Sequence, residues 1–164
     1  CGPCSRSRTT RHVRAPLRSP CGSTGAHPNL HLWGPWLSSA SLRPGGRACI
    51  QTITIADERF ERYRTQSDFI QQYIFPGGLL PSREAFRAQA AAAGLQVVDE
   101  FAFGPDYAET LRRWRTSFLA EEKAVRRLGF DARFLRIWEF YLAYCEAAFD
   151  TGNTDVVQFT LQRS

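Results

Sequence analysis

The chain has 164 residues, 43% of them hydrophobic, enough for one domain of ordinary size with a real core. No uninterrupted apolar run approaches the ~20 residues of a membrane-spanning helix, which excludes a helical span. The formal charge of +5 sits entirely at the front: residues 1–40 hold Arg6, Arg8, Arg11, Arg14 and Arg18 and no acid, while residues 41–164 hold 16 basic and 16 acidic side chains. The basic balance is therefore no sign that the folded part seeks nucleic acid.

Residues 1–41 form a low-complexity arm rich in Ser, Arg, Pro, Gly and Thr, without helical or strand period. It is expected to be disordered, and non-native because the composition breaks abruptly at Leu42. No apolar segment follows the arginines, so it is not a secretory signal; an organellar transit peptide remains open. Cys1, Cys4, Cys21, His27 and His31 are zinc-ligand types. They lack a regular second ligand pair and any framing turn, so chance residues are the better reading. No aromatics interleave the arginines, which favours a solvated tail over a phosphate-binding one. The chain holds no Met and begins with Cys, and it is expected to be a piece of a longer protein. Five cysteines, with Cys49 and Cys145 in apolar contexts, point to reduced thiols and a cytoplasmic setting.

From Leu42 the elements follow in order. Leu42–Arg47 is a turn, and Ala48–Ile55 is an apolar, β-branched strand with Gln51 as its odd polar member. That amide must find partners, either within a strand ladder or at a cleft. Ala56–Gln66 reads as a loop or short helix. Asp68–Phe75 places Phe69, Ile70, Tyr73 and Ile74 on a helical stripe. Pro76-Gly77-Gly78 stops it, and Leu79 and Leu80 make the turn apolar, either a packed corner or a wall of an apolar pocket. Ser82 caps a helix to Ala93, and Gly94 stops it. Leu95–Phe103 tends to strand. Asp106 is the expected N-cap of a long helix to Leu128, with Tyr107, Leu111, Trp114 and Phe118 on one face. Gly129 ends it, and Asp131 caps a second long helix carrying Tyr141 and Cys145 on its apolar side. A Gly152-Asn153 turn leads to a last strand, Asp155–Leu161, expected to run antiparallel at or near a sheet edge. The fold class is α/β: the second half of a doubly wound sheet with an inserted pair of long helices.

Six segments, LRPGGRACIQTITI, YIFPGGLLPS, AGLQVV, FGPDYAETLRRW, FYLAYCEAAF and VVQFTLQR, resemble in order and spacing the C-terminal half of cyclopropane-fatty-acyl-phospholipid synthases and the related mycolic acid cyclopropane synthases. The likeness covers residues 42–164 and not the arm. It implies an S-adenosylmethionine-dependent methyltransferase with a partial Rossmann-like sheet. In that family a methyl group goes to the double bond of an unsaturated acyl chain, and loss of a proton from the resulting carbocation closes a cyclopropane ring. Bicarbonate is the base. Carried over by position, the implied catalytic groups are the Tyr107 phenol, the Ile53 backbone and the residue at 51. There the family's His is replaced by Gln51, which can donate an N–H to an anion but cannot carry charge or shuttle a proton. The product could then be methyl-branched. Leu111, Tyr141 and Cys145 are implied to line the acyl tunnel, with ordinary core packing as the competing reading.

The glycine-rich loop and acidic residue that hold the cofactor, and the early Cys and Glu of the bicarbonate site, have no counterpart in this sequence. The expectation is therefore a C-terminal fragment, inactive alone, of an enzyme that works on unsaturated phospholipid acyl chains. That enzyme would be cytoplasmic and peripheral to the membrane, with no nucleic-acid partner. The rival from another class is a non-catalytic lipid-binding remnant of the same fold; a nucleic-acid binder led by the arm is weaker.

Overall fold

Residues 42–164 are described by a computed structural model, and the arm, with the readings placed on it, lies outside them. The described chain runs β1 (Arg47–Ile55), α1 (Asp57–Thr65), a single π-helical turn (Ile70–Ile74), α2 (Arg83–Ala92), β2 (Leu95–Ala102), α3 (Gly104–Ala120), α4 (Glu122–Arg127), α5 (Ala132–Asp150) and β3 (Thr154–Arg163).

Local chemistry accounts for most boundaries. The Ser82 hydroxyl accepts from the Ala85 amide at 3.2 Å and starts α2; Gly94, at φ 73°, ends it. The Asp131 carboxylate accepts from the Phe134 amide at 2.8 Å and starts α5. Two expectations for the first long helix need correction. It begins at Gly104, so Asp106 lies in its first turn beside the positive end of the helix dipole rather than at the cap. It also breaks at Glu121, where φ −96° and ψ 16° separate α3 from α4. The stripe expected over Asp68–Phe75 shortens to one π-helical turn, closed by the Phe75 amide donating to the Ile70 carbonyl at 2.8 Å.

The sheet has the order β1-β3-β2, with β3 antiparallel to both neighbours. The last strand is thus antiparallel as expected, and it lies one strand in from either edge of the described sheet: near an edge, not at one. Its residues explain the position. Val156 and Val157 point to opposite faces, and both are buried. A bulge between Val97 and Asp99 of β2 breaks the alternation and leaves Val98 exposed.

Each face of β3 carries its own core. On one, Val157, Phe159 and Leu161 pack against Phe86 and Ala90 of α2, with the Phe86 and Phe159 rings stacked at 4.0 Å. On the other, Val156 meets Ala108 and Leu111 of α3 and Leu142 and Phe149 of α5. Tyr107 lies against Phe149, and Phe118 against Phe134, so α3 and α5 pack antiparallel. Cys49, expected inside a core element, is exposed on β1. No described helix is long and apolar enough to cross a membrane.

Candidate functional site

Strand geometry settles which predicted residues can meet. Gln51 and Ile53 are two apart on β1 and share a face. Their register partners are Gln158 and Val156. Val156 belongs to the apolar cluster beneath α3 and α5, together with Ile53, Tyr107, Leu111, Tyr141 and Cys145. Five of the six predicted site residues therefore form one continuous seam between sheet and helices. Gln51 lies on the same face two residues back along β1, outside the apolar cluster and exposed. Its amide oxygen accepts from Gln158 Nε2 at 3.0 Å, which leaves its own N–H₂ to donate elsewhere.

The main chain of Ile53 faces away from β3, toward the edge of β1 that pairs with no other strand among the described residues. The Phe103 amide donates to the Val156 carbonyl at 3.0 Å, so the polar groups of Val156 face β2. Ile53, opposite Val156, must then turn its N–H and C=O away from β3. Ile55, two residues on, does the same, donating to the Pro81 carbonyl at 3.0 Å. The Thr52 hydroxyl donates to the Ile53 carbonyl at 3.2 Å.

The helix side of the seam is aromatic. Tyr107 stands edge-on to Phe149 at 5.1 Å and to Trp114 at 6.3 Å. Tyr141 packs on Trp138 at 5.1 Å and meets Phe75, from the Pro-Gly-Gly turn, at 6.3 Å. That turn is thus tied to the seam through one ring. Burial, and then the neighbouring Cys145 and Tyr107, push the Tyr141 phenol up to about 12. Burial also pushes the Cys145 thiol up to about 11, against an opposing hydrogen bond with Tyr141. Both groups stay neutral at ordinary pH, and neither is an activated nucleophile. Leu111 is fully inside, as a core residue or a deep wall would be.

Sequence reasoning missed two features. Gln158 completes the amide pair; its signal was a lone amide in the apolar run Val156–Leu161, the counterpart of Gln51 in β1. Asp155 joins three elements at the carboxyl ends of β1 and β2. It accepts from Arg83 Nη2 at 2.5 Å and from the Gly104 amide at 2.7 Å. A Cβ on Gly104 would stand 2.6 Å from the same carboxylate, so a larger residue there requires the Asp155 side chain to shift off the amide.

Residues 36–159 match the family described as mycolic acid cyclopropane synthetase. The chain belongs to that family. It is 48% identical over 123 residues to tuberculostearic acid methyltransferase UfaA1 of Mycobacterium tuberculosis, covering 74% of this chain and 29% of that protein. It is 34% identical over 95 residues to cyclopropane-fatty-acyl-phospholipid synthase of Escherichia coli, covering 58% of this chain and 24% of that one. Among solved structures it resembles mycolic acid cyclopropane synthase CmaA1 complexed with SAH and CTAB, with TM-score 0.71 and 30% identity over 81% of this chain and 50% of that one. The chain thus spans a quarter to a half of these family members. Its structural neighbours are S-adenosylmethionine-dependent methyltransferases.

At the β2–α3 turn the described residues leave no room for a cofactor group. Gly104 is the glycine at a strand-to-helix turn, where a cofactor's anionic end would sit. Its amide is already bonded to Asp155, and the space beside its Cα is filled by the same carboxylate.

Proposed function

We propose that this chain is the carboxyl-terminal part of a lipid methyltransferase that adds a one-carbon unit, methylene or methyl, to the double bond of an unsaturated phospholipid acyl chain. The observation that carries the reading is the seam of Ile53, Tyr107, Leu111, Tyr141 and Cys145, with Gln51 beside it on the same face of β1. In this reading the wall holds the acyl chain and excludes water. The aromatic rings of Tyr107 and Tyr141 favour positive charge developing on the chain. The Tyr107 hydroxyl, the outward Ile53 main chain and the free N–H of Gln51 hold a small anion such as bicarbonate, which takes the proton. Gln51 itself cannot take it. S-adenosylmethionine, the methyl donor in this reading, is held by residues outside this chain, so the chain alone neither binds it nor turns over. The enzyme works in the cytoplasm, at a membrane surface.

The test joins this chain to the first half of a relative and supplies labelled S-adenosylmethionine with unsaturated phospholipid vesicles. The expected result is label in the acyl chains for the joined protein and none for the chain alone. Lipid retained without any transferred label would replace the enzyme reading with a lipid-binding remnant. Micromolar S-adenosylmethionine binding by the chain alone would contradict the placement of the cofactor site.

A further inference from the structure

The tip of the α3–α5 hairpin carries charge and apolar surface that the seam does not use. α4 and the turn after it hold Lys123, Arg126, Arg127, Leu128 and Phe130, and α5 opens with Arg133 and Arg136. Leu128 is 78% exposed and Phe130 45%. Gly129, at φ 93°, makes the reversal that leaves Leu128 at the apex, and Phe130 is held by stacking on Phe134 at 4.3 Å. The charges here differ from those on the body of the hairpin. Arg112, Arg113 and Arg115 are all engaged by Glu109, Glu146 or Asp150. At the tip Arg126 pairs with Glu122, the Asp131 carboxylate accepts from the Phe134 amide at its helix cap, and Glu121 is the one exposed acid of α4's start without an ion pair among the described residues. Lys123, Arg127, Arg133 and Arg136 make no ion pair among the described residues.

We propose that this tip is a membrane-docking element, in which Leu128 and Phe130 enter the headgroup region of an anionic phospholipid bilayer while the four free cations pair with lipid phosphates. An exposed apolar apex ringed by unpaired cations is complementary to an anionic, amphipathic surface; a protein partner would have to supply matching acids in the same ring. The inference rests on the reading above that the acyl chains to be modified lie in a bilayer, since the tip would set the depth from which a chain enters the seam.

The test is co-sedimentation of the full chain with phosphatidylcholine vesicles, with and without phosphatidylglycerol, at low and high salt. The chain is expected to pellet with the anionic vesicles at low salt and to be largely but not wholly released by salt, the apolar apex holding the remainder. Arg127→Gln should weaken partitioning about fivefold, and Lys123→Gln with Arg127→Gln about twenty-fivefold. Leu128→Ser with Phe130→Ser should abolish residual binding at high salt, with circular dichroism confirming the fold. Equal binding to neutral vesicles, or wild-type binding by these variants, overturns the proposal, as does failure to pellet at low salt. The readout needs no turnover, so a joined enzyme that transfers no label would refute the catalytic reading and leave this one standing.

Discussion

The Asp155 carboxylate accepts from the Gly104 amide at 2.7 Å, and a Cβ on Gly104 would stand 2.6 Å from the same oxygen. It thereby ties β3 to the first turn of α3, and through Arg83 to α2. Gly104→Ala is expected to destabilise by about 1–3 kcal/mol, because its Cβ meets the carboxylate at 2.6 Å. Asp155→Ala leaves the buried Gly104 amide without its acceptor and should cost a similar ~1–3 kcal/mol. In the double variant the clash is gone, so urea midpoints should show a combined cost smaller than the sum. Additive costs would mean that the methyl and the carboxylate never meet.

Glu146 is the inner acid of the hairpin network. Its side chain is only 12% exposed and faces Arg112 Nε at 3.0 Å and Arg115 Nη2 at 3.0 Å. Arg112 keeps Glu109 and Asp150 when Glu146 is removed; Arg115 keeps no acid. Glu146→Ala should therefore cost about 1–3 kcal/mol in denaturant unfolding. Arg113→Ala, at an exposed position, should stay within about 0.5 kcal/mol of wild type. Equal effects would show that the network does not depend on its inner member.

What could be read ahead of the structure was local. The caps at Ser82 and Asp131 and the stops at Gly94 and Gly129 are decided by a residue and its neighbours within one turn. Tyr107 and Leu111 shared a face by spacing, and the apolar cluster confirms it. The position of β3 was not local. Its rank in the sheet depends on pairing with residues about a hundred positions upstream, although adjacent buried Val156 and Val157 were a trace of two covered faces. The break at Glu121 has no glycine or proline to announce it. The Gln51–Gln158 pair required the register, which no single segment contains.

The buried thiol and phenol make stability pH-dependent at the alkaline end. Cys145 rises from 9.0 to about 11 and Tyr141 from 10.0 to about 12, so both are harder to ionise folded than unfolded. Their contribution is complete below about pH 9 and is lost as pH climbs through about 11 and then about 12. Tyr63, also raised to about 12, adds to the upper part. Thermal unfolding should therefore give a midpoint that falls from about pH 9 upward. Cys145→Ala should flatten the first part of the fall and leave the rest. A midpoint unchanged through about pH 11 would place the thiol in water.

Gln51 offers the sharpest test of the chemistry in the joined enzyme. Its amide accepts from Gln158 and can donate one hydrogen bond outward, but it takes up no proton. An imidazole at this position can accept from Gln158 with one nitrogen and present the other to the same anion. It also adds a group that titrates near ~6.5. Gln51→His is therefore expected to raise the ratio of cyclopropane to methyl-branched product by about tenfold or more, read by mass spectrometry of the acyl chains. That ratio should gain a pH dependence absent from the parent. Tyr107→Phe, which keeps the ring against Phe149 but removes the hydroxyl, should lower turnover with little change in unfolding midpoint. Unchanged product and unchanged pH dependence in Gln51→His would show that position 51 does not face the reacting chain.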